Sequence, residues 1–267
     1  MGFVGDLFST GDGRAVLAYT AAFSGILTWT LVDDSVDKLV PIHIIPGENH
    51  KDDIDHWPIR HMIWIPIAFA WMWHAVQVYY SRNNGSYEPV DGANAADRYV
   101  HHTRSALRGL GLTLSTVVTL NLIGEHYLWT SLSIGFINVV MNMAEHASDV
   151  HRAEDTGKRG VRITNSGLFV FGACYSTMYI LFLFLHIVKD NPCFFVAESY
   201  GLIILWFLYN GFRVIYNVWI AKSPNAPGAK EVKTWNDLHG VIDFLYLVGT
   251  AIFQLVVLRI SEPRCLE

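Results

Sequence analysis

The sequence predicts an all-α protein: a single bundle of seven transmembrane helices over residues 1–267, with the N-terminus inside and the C-terminus outside. Three observations predict it. Of the 267 residues, 52% are hydrophobic and only 16% charged, against about 25% charged in an ordinary soluble domain. The apolar residues fall in long runs, and a chain of that kind in lipid must satisfy its backbone within helices or a closed barrel; runs of about 20 residues are helical. Finally, Lys and Arg are divided unevenly between alternate loops, twelve against six, and the richer side is the inner one. The net charge of −5 says nothing about nucleic acid, but the sequence shows no basic patch with interleaved aromatics, and no nucleic-acid partner is expected.

The spans are expected at Ala15–Val32, Met62–Tyr80, Ala106–Ile123, Tyr127–His146, Gly167–Val188, Tyr200–Ala221 and Leu238–Leu258. The N-terminal stretch before the first, M-G-F-V-G-D-L-F, reads as neither a secretory signal nor an Arg-rich transit peptide. Gly124-Glu125-His126 alone joins the third and fourth spans, which makes them a tight antiparallel pair. The longest connection is the first outer loop, Asp33–Ile59, which is strongly acidic. Its apolar centre, L-V-P-I-H-I-I-P-G, predicts a short hairpin or strand pair. Such a hairpin would dock on another membrane subunit, or on a second copy of the chain, or fold as a flap over its own bundle. Cys193 and Cys265 fall on the same outer side, where they form a disulfide or stay as two thiols according to the compartment; Cys174, in mid-span, is expected to be a packing residue.

The membrane-embedded polar residues are the candidate site, because charge at that depth is expensive and usually functional. Counting about 1.5 Å per helical residue places His74, Arg213 and Asp243 in one inner layer, with Asn142, Glu145, Asn210 and His239 nearby. The expectation is an Arg213–Asp243 ion pair between neighbouring helices. A relay or ligand anchor is one reading. A structural clamp made of His74, Arg213, Asp243 and His239 is the favoured one, because nothing else in the chain continues a relay across the outer half. Facing histidines at matched depth would be needed for haem; His126 with His186, or His146 with His239, are the loose pairings available. A zinc site built on His74, His239 and Asp243 lacks an evident further ligand.

The last span carries a family resemblance. Trp235-Asn236-Asp237 resembles the W-x-D-Y that precedes the seventh helix of heliorhodopsins. Asp243, Tyr246 and Thr250 fall on the acid, tyrosine and serine of that family's E-x-x-Y-x-x-x-S-x-x-x-K series. Gln254 falls on its lysine, which in the family holds retinal as a Schiff base. His74 in W-M-W-H, the F-L-Y-N-G-F-R-V-I-Y-N stretch and the fourth-span M-N-M-A-E-H are similar to the family's patterns too. The family's third-helix counterion Glu falls on Leu107 or Gly111, depending on register, and neither is acidic. The resemblance implies seven helices, inverted orientation and a retinal pocket around Tyr246, Thr250 and Gln254. The departures imply that covalent retinal is lost: a Schiff base needs a primary amine, and no lysine stands at mid-span.

The expected function is therefore non-catalytic and non-photoactive. The chain reads as a structural or accessory subunit of a larger membrane complex, in contact with lipid, with an energy-converting organellar membrane as the suggested location. The alternatives are a module that holds a lipid, carotenoid or retinoid non-covalently in the vacated pocket, with no other cofactor expected, and a His-based haem or zinc membrane enzyme.

Overall fold

A computed structural model describes residues 11–37, 39–43, 54–84, 95–123, 125, 127–153, 159–190, 199–222 and 229–260. Its long helices are α1 (Gly11–Val32), α3 (Ile65–Asn84), α4 (Ala95–Leu122), α5 (Leu128–Ala153), α6 (Arg159–Asp190), α7 (Ser199–Lys222) and α8 (Ala229–Ile260), and a short α2 (Arg60–Ile63) precedes α3. Each expected span falls on one long helix, but most of the helices run further. The α8 helix begins nine residues before Leu238. Hydropathy marks where a helix meets lipid, whereas backbone bonding carries it on into water. The α3 helix starts later than the expected Met62. Pro66 has no N–H to offer the carbonyl four residues back and its ring crowds that carbonyl, so the chain breaks between α2 and α3, and Ala68 N resumes the bonding to Trp64 O at 3.1 Å.

Between α1 and α2 the chain makes a 3-10 turn at Asp34–Val36, capped by Asp33, whose carboxylate accepts from Ser35 N at 3.0 Å. There follow two antiparallel strands, β1 (Leu39–His43) and β2 (Ile54–Pro58), with Leu39 opposite Pro58 and His43 opposite Ile54. This is the strand pair expected in the first outer loop. The Pro46-Gly47 turn lies outside the described residues.

Among the described residues, four helices carry segments long and apolar enough to cross a membrane: Asp12–Val32, Ile163–Leu183, Ser199–Val218 and Leu238–Ile260, on α1, α6, α7 and α8. The bundle is arranged as α1 on α3, α3 on α4, α4 on α5, α5 on α6, α6 on α7 and α7 on α8, with α8 returning against α4 and α1. The core is apolar at Ile63, Ile67, Trp73, Leu120, Trp206 and Leu255. Elsewhere the usual distribution is inverted. Phe171 and Met178 on α6 are each 70% exposed, while Glu145 and Arg213 are buried. A large exposed apolar surface over polar groups held inside is what a lipid environment favours.

The α4 helix touches four others and carries a run of buried polar side chains: Thr113, Ser115, Thr116, Thr119 and Asn121. Several return hydrogen bonds to their own helix, as Thr116 Oγ1 does to Leu112 O at 2.8 Å. Others cross to α5: Thr113 Oγ1 donates to Gly135 O at 2.8 Å, and Asn138 Nδ2 to Thr116 Oγ1 at 2.9 Å. The helices come this close because residue 135 has no side chain; a Cβ there would lie 3.0 Å from Thr113 O.

Candidate functional site: a buried charge network

Four charged side chains from four helices meet inside the bundle. Arg108 of α4 donates through Nη1 to Glu145 Oε2 of α5 at 2.9 Å, and through Nη2 to Asp243 Oδ1 of α8 at 2.8 Å. Arg213 of α7, 0% exposed, donates to the same Glu145 Oε2 at 2.7 Å and to Asn142 Oδ1 at 3.1 Å. Asn217 Nδ2 reaches Glu145 Oε1 at 3.0 Å, and Tyr209 donates its hydroxyl to Asp243 at 2.8 Å. Two arginines thus face two carboxylates and the formal charges cancel. This is the condition under which buried ions persist, since each is too costly alone and their attraction is strong where water is excluded.

The expected Arg213–Asp243 pair is not the one formed. Arg213 pairs with Glu145, and Asp243 with Arg108. Counting along the helices put Arg213, Glu145 and Asp243 near one another but left out lateral position, which decides between acids on α5 and α8. Arg108, at the start of the expected Ala106–Ile123 span, was counted only among the inner-side charges, and α4 carries it into the bundle with its side chain 11% exposed. Its signal was its spacing: Arg108, Ser115 and Thr119 recur on one helical face.

His74 bonds elsewhere. Its Nδ1 lies 2.7 Å from Asp12 Oδ1 at the start of α1, and its ring stacks on Tyr19 at 5.5 Å. His239 does join the network's edge, with Nε2 3.9 Å from Glu145 Oε1 and the ring against Tyr216 and Phe212. Among the described residues no three His, Cys, Asp or Glu side chains are grouped to hold a metal ion, and with His74 on Asp12 the expected His74–His239–Asp243 set is not assembled. The side chains of His126, His146 and His186, like Cys193 and Cys265, lie outside what is described. Cys174 is exposed on α6 rather than packed inside.

The three residues expected to line a pocket are buried at the α4–α8 contact. Gln254, 1% exposed, donates its amide to Ser115 O at 3.1 Å and to Thr119 Oγ1 at 3.0 Å. Tyr246 stacks on Tyr209 at 4.0 Å and lies beside Ser115, Thr116 and Thr250. The next aromatic, Phe253, sets its ring against Gly201, where a Cβ would come within 2.4 Å of it.

Apolar outer faces, four helices long and apolar enough to cross a membrane and a charge-balanced interior fit a transmembrane helical bundle. No protein-family model, curated protein or solved structure matches the chain.

Proposed function

We infer that this chain is a non-photoactive, heliorhodopsin-like bundle of seven membrane spans that serves as a structural or accessory subunit of a larger membrane assembly. The observation that carries the reading is Gln254. At the position of the family's retinal-binding lysine stands an amide, and its N–H groups are committed to α4. A side chain bonded to the neighbouring helix ties α8 to α4 instead of presenting a nucleophile to a ligand. Gly111, three residues after Arg108, accords with this. A Cβ there would lie 3.3 Å from both Phe69 Cβ and Pro66 O, so a counterion carboxylate would have to displace α3. With both groups gone the loss is consistent, because a protonated Schiff base and its anion stabilise one another and neither is tolerated alone in an apolar site.

The inverted orientation is supported by the loop charges. With Arg108 inside the bundle, eleven inner Lys and Arg face six outer ones, which leaves the bias intact. The α3, α4 and α5 helices complete the seven. The α4 and α5 helices meet through polar side chains such as Thr113, Thr116 and Asn138, and a span whose polar face is buried need not be apolar all round.

The test is an ultraviolet–visible spectrum of the protein purified gently from its native membrane and then incubated with all-trans retinal, with particle size read from the same column. The expected result is no visible band in either state and elution with a larger complex. A hydroxylamine-sensitive band would overturn the loss of covalent retinal. A hydroxylamine-resistant polyene band on a monomer would favour the non-covalent binding module, and a Soret band the haem reading.

A further inference from the structure

The charge network leaves one edge of Arg213 unaccounted for by the protein. Its Nη2 bonds Glu145 and Asn142, while Nε and Nη1 have no hydrogen-bond partner among the described residues although the residue is 0% exposed. The guanidinium carbon sits over the Phe169 ring at 4.7 Å and the Tyr209 ring at 5.4 Å. Those rings attract the cation but offer no oxygen to its in-plane N–H groups. One helical turn to either side of Arg213 on α7, Asn210 Oδ1 and Asn217 Oδ1 are buried acceptors, and His239 Nε2 beside Glu145 is a buried ring nitrogen, all likewise without a hydrogen-bond partner among the described residues. So too is the Nε donor of Arg108.

We propose that Arg213, Asn217 and His239, between α5, α7 and α8, form a site for ordered water at the edge of the charge network. The chemistry selects water over an anion. The unmet groups include both donors and acceptors, so whatever joins them must give and take hydrogen bonds, and a halide or a fully deprotonated anion can only accept. The network's formal charges already cancel, two arginines against two carboxylates, so an added anion would be an uncompensated buried charge. His239 Nε2 and Glu145 Oε1 lie 3.9 Å apart, too far for a direct bond and a separation at which a bridging water is to be looked for. Buried water of this kind commonly makes about three bonds to groups that would otherwise be unpaired. This site does not depend on the heliorhodopsin-like reading.

The test is an experimental map of the full chain in detergent, at a resolution that shows ordered water. The expected result is a peak within about 3.2 Å of Arg213 Nε or Nη1 that also reaches Asn217 Oδ1 or His239 Nε2. An edge closed by protein atoms, with no peak, overturns the proposal. An anomalous peak there after exchange into bromide overturns it in favour of an anion. In solution, infrared spectra in ordinary and ¹⁸O-labelled water should show an isotope-shifted band of strongly bonded water in the unmodified protein. That band should weaken in a folded Asn217→Leu variant; a band of unchanged strength there places the water elsewhere and overturns the assignment.

Discussion

Glu145 is the residue on which the interior charge balance turns, because it takes bonds from Arg108, Arg213 and Asn217 together. Glu145→Gln would leave two buried guanidinium groups facing the single carboxylate of Asp243. Breaking a buried pair from one side typically costs about 3–5 kcal/mol, so a loss of that order is expected, read by denaturant or thermal unfolding in detergent. Asp243→Asn should cost less, since Arg108 keeps Glu145. Equal losses would mean that the carboxylates are not shared as described. Just after the C-terminal end of α1, Asp33 accepts from Ser35 and Trp29 and lies 3.8 Å from Arg259. Its carboxyl is held below its ordinary value, chiefly by the hydrogen bond from the Ser35 side chain. A depressed folded value means that the tie is present above the unfolded pKa, about 3.9, and is lost as pH falls through the lower, folded one. Unfolding temperature should therefore fall on acidification slightly more steeply in the unmodified protein than in Asp33→Ala; parallel curves would remove Asp33 from the account.

At the scale of elements, the α4–α5 contact is set by a missing side chain. A Cβ at Gly135 would meet Thr113 O and Val117 Cγ2 at 3.0 Å, whereas one at Gly167 would meet nothing within 4 Å. Gly135→Ala should therefore destabilise by about 1–3 kcal/mol as an overpacking change. Gly167→Ala should be neutral or stabilising by up to about 1 kcal/mol from helix propensity. Thermal unfolding of the two variants side by side checks this, and a Gly135→Ala protein as stable as the parent would show that the helices are not held this close. The helices themselves were legible in the sequence, since every expected span lies mostly on one, that from Met62 also crossing the break between α2 and α3. Their ends were less so: Arg159 and Ala229 open α6 and α8 with polar turns that hydropathy does not count.

For the whole molecule, the number of spans decides where the chain ends emerge. Seven crossings put the termini on opposite faces, and the four strongly apolar helices alone would put both on one face. Protease protection of tags at Met1 and Glu267 in sealed vesicles is expected to shield one and expose the other. Termini on the same face would sink the seven-span arrangement whatever the charge bias. The bundle's closure, with α8 against α4 and α1, is also what gathers Arg108, Glu145, Arg213 and Asp243 from sequence positions far apart.

By itself the sequence determined the helical class, the positions of the apolar segments, the strand pair after α1 and the absence of an amine at residue 254, because these depend on local composition and chemical identity. It also narrowed the interior charges to one layer, since depth follows from counting residues along a helix. Only the tertiary structure decided which charge meets which. Arg213 turns to Glu145 rather than Asp243, Arg108 bridges Glu145 and Asp243, and His74 pairs with Asp12. Those choices depend on how each helix is rotated and which neighbour it faces, and both are set by packing across the bundle.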